Sequence, residues 1–167
     1  MPAITQFIQP QDFILRYKLS VGFNDGNALI EQYIKMYEKP YMYRLFGQEL
    51  CDLIYLDFDD EPLYQALSVP TVVSHCHDIY TSTGFIDIIS SFIYSHYVRE
   101  NINTNTSIGQ MAAKVEAGIP ANDNNTVAFT FYNTAARNAL ALQKYVEENK
   151  ADYPQYAGER IQTTWFI

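Results

Sequence analysis

Apolar side chains recur at helical spacing from residue 29 onward, where Leu29, Ile30, Tyr33, Ile34 and Tyr37 fall on one side of a helix. The preceding FNDGN, residues 23–27, is a turn followed by a helix start, with Asn24 or Asp25 as candidate cap. Pro40 is expected to end or bend this helix, because it has no N–H to donate. A second helix is expected over about residues 41–56, with Leu45, Phe46, Leu50, Leu53 and Ile54 as its apolar stripe. The clearest pattern is GFIDIISSFIYSHYVREN, residues 84–101. Phe85, Ile89, Phe92 and His96 mark one stripe, and Ile86, Ile93 and Tyr97 widen it to the breadth of a largely buried central helix. A last long helix over about 125–149 carries Tyr132, Ala136, Ala139, Gln143 and Val146 on one side, and its alanines allow a neighbouring helix to come close.

Between these segments the pattern is weaker. Residues 11–21 alternate loosely and read as a short strand or an extended arm. A short helical piece is expected near 62–67, and 70–81 fits either strand or helix. Residues 101–124 are rich in turn formers and read as a long excursion, with a short hairpin over TSIGQMAAKVE. The resulting expectation is a mainly α fold: one domain over 1–167, with four to five helices and a long loop or short β-hairpin between the last two long ones. An N-terminal arm (about 1–24) and a C-terminal tail (about 151–167) flank it.

Composition narrows the class. With 48% hydrophobic and 18% charged residues in 167, the chain can bury a real core and is not a disordered composition. No run of eighteen apolar residues is present, so no membrane span is expected. The start, MPAITQFIQP, shows neither the basic nor the apolar region of a secretory signal. The two cysteines, Cys51 and Cys76, are therefore read as reduced thiols, and the N-x-S/T match at Asn105 carries no glycosylation message. The net charge is −8, and the eleven basic residues are scattered, so no cluster is available to neutralise phosphates. Fourteen tyrosines and ten phenylalanines are a heavy aromatic load, suited to a core first and to interfaces second.

Candidate chemistry centres on VVSHCHDIY, residues 72–80, where His75, Cys76, His77 and Asp78 form an unbroken row. In a helix His75 and His77 would lie about 200° apart and could not share an ion. In a strand they share a face, but Cys76 then points away and two ligands remain where zinc takes three or four. No CxxC or HExxH supplies the others, and His96 sits on an apolar stripe, where a hydrogen-bonded core histidine is expected. No metal is therefore assigned. The acidic run Asp57, Asp59, Asp60 and Glu61 is not an EF-hand loop, since Pro62 and Ser68 stand where glycine and glutamate are required. It is read as solvated carboxylates. There is no G-x-S-x-G elbow, no catalytic cysteine signature and no phosphate-binding glycine pattern. No enzyme and no cofactor are expected.

Three segments, read in order, resemble a known family. LIEQYIKMYEKPYMYRLFGQELCDLI, residues 29–54, resembles a helical pair carrying a Leu-Phe/Leu-Gly-x-Glu-Leu pattern. GFIDIISSFIYSHYVREN ends in a Tyr-x-x-Tyr-x-Arg signature formed by Tyr94, Tyr97 and Arg99. Thr106-Ser107-Ile108-Gly109 looks like a T-x-x-G element opening the following loop. With the long final helix they cover roughly residues 25–155 and are similar to the small head–tail connector proteins of tailed phages, particularly the crAss-like and related phages of Bacteroidota. The sole tryptophan is Trp165, so a tryptophan patch expected near the middle helix is replaced here.

The resemblance implies a helical adaptor of the virion neck, assembled in the host cytoplasm as a homo-oligomeric, dodecameric ring. Such a ring binds the portal protein on one side and a tail or further connector protein on the other, and DNA passes through it without specific binding. Thr106 and Gly109 are then interface candidates, as are Trp165, Phe166 and Ile167, an apolar tip expected to dock on a neighbouring subunit or the portal. Asp57, Asp59, Asp60, Glu61 and Asp123 are the candidates for an acidic channel wall, which repels DNA and lets it slide. The alternatives are a tail-completion protein of the same virion and, further off, a metal-dependent helical enzyme using His75 and His77.

Overall fold

Residue by residue, the computed structural model describes 4–17, 24–75, 78–101, 103–106, 109–112 and 123–163. Within these stretches lie six helices and four strands: α1 (Pro10–Tyr17), α2 (Asn24–Phe46), α3 (Gln48–Asp57), α4 (Pro62–Ala66), β1 (Thr71–His75), β2 (Asp78–Ser82), α5 (Phe85–Asn101), β3 (Asn103–Thr106), β4 (Gly109–Ala112) and α6 (Asp123–Glu148). The mainly α architecture is the one the periodicity indicates, with the short helices α1 and α4 bringing the number to six.

The core forms around α5, which packs between α2 and α6. Phe85, Ile88, Ile89, Phe92 and Ile93 are all buried, on both stripes of the broad apolar surface. Each such side chain removed from water contributes about 1.5–3 kcal/mol. On the α6 side, Ala128, Ala135, Ala136 and Ala139 are buried, and these small residues let the two helix backbones approach. An aromatic line ties the three helices together. Tyr41 of α2 stacks on Phe92 of α5 with ring centroids 4.4 Å apart, and Phe92 meets Tyr132 of α6 edge-on at 5.1 Å.

Three local readings differ from the sequence pattern, and a fourth that was open is decided. Pro40 does not end its helix: α2 runs to Phe46. Pro40 and Met36 both lie on the exposed side, so the hydrogen bond that proline forfeits is to a carbonyl that water can reach. The break falls at Gly47, whose φ of 83° leaves the helical region and redirects the chain into α3. Residues 10–17 are helical rather than extended, because Phe13 is drawn into the core and Tyr17 stacks on Tyr94 at 4.1 Å. The open choice over 70–81 resolves as an antiparallel hairpin, with Thr71 paired to Ser82 and His75 to Asp78. Between α5 and α6 the hairpin is present but lies earlier than the pattern placed it, with Asn103 opposite Ala112 and Thr106 opposite Gly109.

Two terminal segments are tied down. Glu38, buried in α2, accepts hydrogen bonds from the backbone N–H groups of Phe7 (2.9 Å) and Ile8 (3.2 Å) and from the Tyr55 hydroxyl (2.8 Å). At the other end the chain after α6 returns along the end of α2. Ala157 N–H donates to Phe46 O and Glu159 N–H to Arg44 O. Gln143 Nε2 bridges Leu45 O and Glu159 O, and Tyr153 and Ile161 are buried. The described part of the C-terminal tail is thus packed on its own core.

Candidate functional site

The residues singled out by sequence fall in separate places. Thr106 and Gly109 face each other as the closing pair of the β3–β4 hairpin. Asp57 ends α3, and Asp59, Asp60 and Glu61 are exposed in the turn before α4. That turn is held by Asp60 N–H and Glu61 N–H donating to Asp57 O, and Pro62 opens α4 at a position where its missing N–H is not needed. Asp123 is the first residue of α6, far along the chain from the acidic turn. Trp165, Phe166 and Ile167 lie outside the described residues. So do Cys76 and His77, while His75 ends β1. Among the described residues no group of three or more histidine, cysteine, aspartate or glutamate side chains is gathered to hold a metal. Cys51 is buried, and burial pushes its thiol up to about 12, so it stays protonated at neutral pH and is no nucleophile.

Removing metal ions is accordingly expected to change nothing in stability. A saturating ligand would add roughly 3 kcal/mol, so a thermal scan with excess chelator reads the result directly. A chelator-dependent melting point would return His75 and His77 to consideration.

A different cluster, built on α2 and α5, brings tyrosine, histidine, arginine and glutamate side chains together. Tyr33, Tyr37 and Tyr41 stand four residues apart on one face of α2, and His96, Arg99 and Glu100 stand one turn apart on the facing α5. Tyr33 and Tyr37 donate to the two Glu100 oxygens at 2.9 and 3.2 Å. Tyr37 stacks on the His96 ring with centroids 4.1 Å apart and planes 9° from parallel. His96 Nε2 lies 2.7 Å from Tyr41 Oη, and His96 Nδ1 lies 3.0 Å from Arg99 Nη2. His96 is thus hydrogen-bonded against the core, as its place on an apolar stripe leads one to expect.

The charge states follow from the surroundings. Burial, with Arg99 adding to it, holds the His96 ring below the usual histidine range. Burial would raise the Glu100 carboxyl, but hydrogen bonds from Tyr33, Tyr37 and Arg99 outweigh it and hold the group below its ordinary value. Burial pushes the Tyr41 hydroxyl well above its usual range, so it stays a neutral O–H. Beside this cluster, between α2, α5 and α6, opens a cavity of about 270 Å³ bordered by Tyr41, Arg44, His96, Arg99, Phe129 and Tyr132. The sequence carried one trace of it in the spacing of its tyrosines and of His96, Arg99 and Glu100, but their meeting depends on the packing of α2 on α5.

No protein-family model, no curated protein and no solved structure matches this chain. What the fold itself defines is a mainly helical domain with two antiparallel hairpins and no helix among the described residues long and apolar enough to cross a membrane.

Proposed function

We propose that this chain is a structural subunit that assembles with copies of itself, and that the assembly is the head–tail connector ring of a tailed phage, seated under the portal and surrounding the DNA channel. The observation that carries self-assembly is the outer face of the β1–β2 hairpin. Val73 and Ser82 turn inward and are buried, while Val72, Ser74, Ile79 and Thr81 are all exposed on the opposite face. Val72 is 66% exposed and Ile79 74%. In a chain of net charge −8 this strip carries no charge, so two copies can approach on it without repulsion. The phage assignment is supported by the segments over 29–54 and 84–101 and by Thr106 and Gly109, which pair at the closed end of one hairpin.

The channel role follows from charge. The exposed carboxylates of Asp59, Asp60 and Glu61 would repel phosphates from the lumen, and the lack of any basic cluster leaves nothing to grip passing DNA. Trp165, Phe166 and Ile167 supply a second contact to a neighbouring subunit or the portal.

The test is a double variant, Val72→Lys with Ile79→Lys. Both positions are exposed, so the melting temperature should stay within a few degrees of the unaltered chain. Light scattering should show loss of the assembled species, because lysines on the apposed faces repel. Unchanged assembly by the double variant would exclude this hairpin as the subunit contact.

A further inference from the structure

We propose that the cavity between α2, α5 and α6 is a binding site for a small carboxylate bearing an apolar body. The direction of the hydrogen bonds along its edge carries this. A guanidinium only donates, so at 3.0 Å Arg99 Nη2 donates to His96 Nδ1, which therefore bears no proton. The Glu100 carboxylate, 3.7 Å from Nδ1, is too far to be its acceptor. The proton of the neutral ring sits on Nε2 and is donated to Tyr41 Oη across 2.7 Å. The Tyr41 hydroxyl hydrogen is left over. Tyr41 is 5% exposed and has no other hydrogen-bond partner among the described residues, so a donor stands at the cavity edge wanting an acceptor.

The electrostatics of the wall point the same way. Arg44 and Arg99 both border the cavity, and among the described residues no carboxylate does. Arg44 lies 5.9 Å from the centre of the Tyr41 ring and is paired with no carboxylate among the described residues. Arg99 is itself paired with Glu100 at 3.4 Å, so the cation left for a ligand is Arg44, and with the Tyr41 hydroxyl beside it this is a donor set that recognises a single oxyanion. Phe129 and Tyr132 supply an aromatic wall for the rest of the ligand. At about 270 Å³ the cavity falls at the small end of ligand sites, which favours a compact carboxylate over a nucleotide. The site is independent of assembly, and its test is read on the purified chain in whatever oligomeric state it adopts.

The experiment is a titration with benzoate, and with acetate as the ligand lacking the apolar body, followed by calorimetry and by the amide NMR spectrum. Benzoate should bind saturably, more tightly than acetate, and shift the amides around Tyr41, His96 and Phe129. Arg44→Gln and Tyr41→Phe should each weaken benzoate by about tenfold. Arg44 is exposed, so Arg44→Gln should keep the melting temperature of the unaltered chain and report binding alone. The imidazole nitrogen spectrum should show His96 protonated on Nε2 and not on Nδ1. Failure of benzoate to saturate, equal binding of acetate, undiminished binding by Arg44→Gln, or a proton on His96 Nδ1 would each overturn the assignment.

Discussion

Gly84→Ala should remove more than about 4 kcal/mol of folding stability. Gly84 has a φ of 89°, in the left-handed region that side chains avoid, and that strain alone costs about 1–3 kcal/mol. A Cβ there would also be driven into the backbone carbonyl of Ser68, which cannot swing aside as a flexible side chain could. The two strands of backbone are held together at this point, since Phe85 N–H donates to Leu67 O at 3.0 Å. Relief would have to pull the start of α5 away from the end of α4, and Phe85 and Leu67 are both fully buried. At roughly 2–4 °C per kcal/mol for a chain of this size, the melting temperature should fall by more than about 8 °C. A variant melting within a few degrees of the unaltered protein would mean that the junction is looser than described.

Glu38→Ala should cost about 3–5 kcal/mol. The carboxylate is 4% exposed and among the described residues is the one acceptor of three donors: Phe7 N–H and Tyr55 O–H on Oε1, and Ile8 N–H on Oε2. Removing it strands two backbone amides and a hydroxyl, each at about 1–3 kcal/mol, with water recovering part. The loss also frees the segment that places Ile8 in the core and Phe7 against Tyr55, Phe58 and Phe85 at 4.9–5.1 Å. Glu38→Gln is the sharper probe. Its oxygen can serve Phe7 and Tyr55, but its amide nitrogen would then face the Ile8 N–H, donor against donor, so a loss of about 1–3 kcal/mol is expected. Denaturant unfolding should rank the unaltered chain above Glu38→Gln and Glu38→Ala lowest. Equal stability of the glutamine variant and the parent would show that the Ile8 contact contributes nothing.

The parts of this fold that could be read from sequence are those held by one element's own pattern. The breadth of the stripe over 84–101 announced a buried helix, and α5 is the centre of the core. Tyr132, Ala136, Ala139, Gln143 and Val146 marked one side of α6; the last four are buried and Tyr132 is half-buried against the core. Readings failed where tertiary contact overrode local preference. Residues 10–17 lack strong periodicity yet form a helix, because Phe13 and Tyr17 find partners on α5 and beyond. Pro40 is a helix breaker by itself and is tolerated because its side of α2 faces water. The cluster at the cavity was hidden for a different reason. Tyr41 and His96 are 55 positions apart, and Tyr33 and Glu100 are 67 apart. Their spacing within each helix was visible, but only the crossing of α2 on α5 says that the two faces meet. The contiguous row at 75–78 is the more conspicuous feature of the sequence, yet adjacency along the chain carries no information about geometry.

The measurement that bears most directly on the assembly proposed for this chain is cryo-electron microscopy of the purified protein mixed with the portal protein of the phage that encodes it under that proposal. A closed ring stacked on the portal is predicted, with the β1–β2 hairpin between adjacent copies and residues 59–61 contributing to an acidic inner wall. A protein that stays monomeric and leaves the portal bare, or a ring whose inner wall is basic, would contradict it.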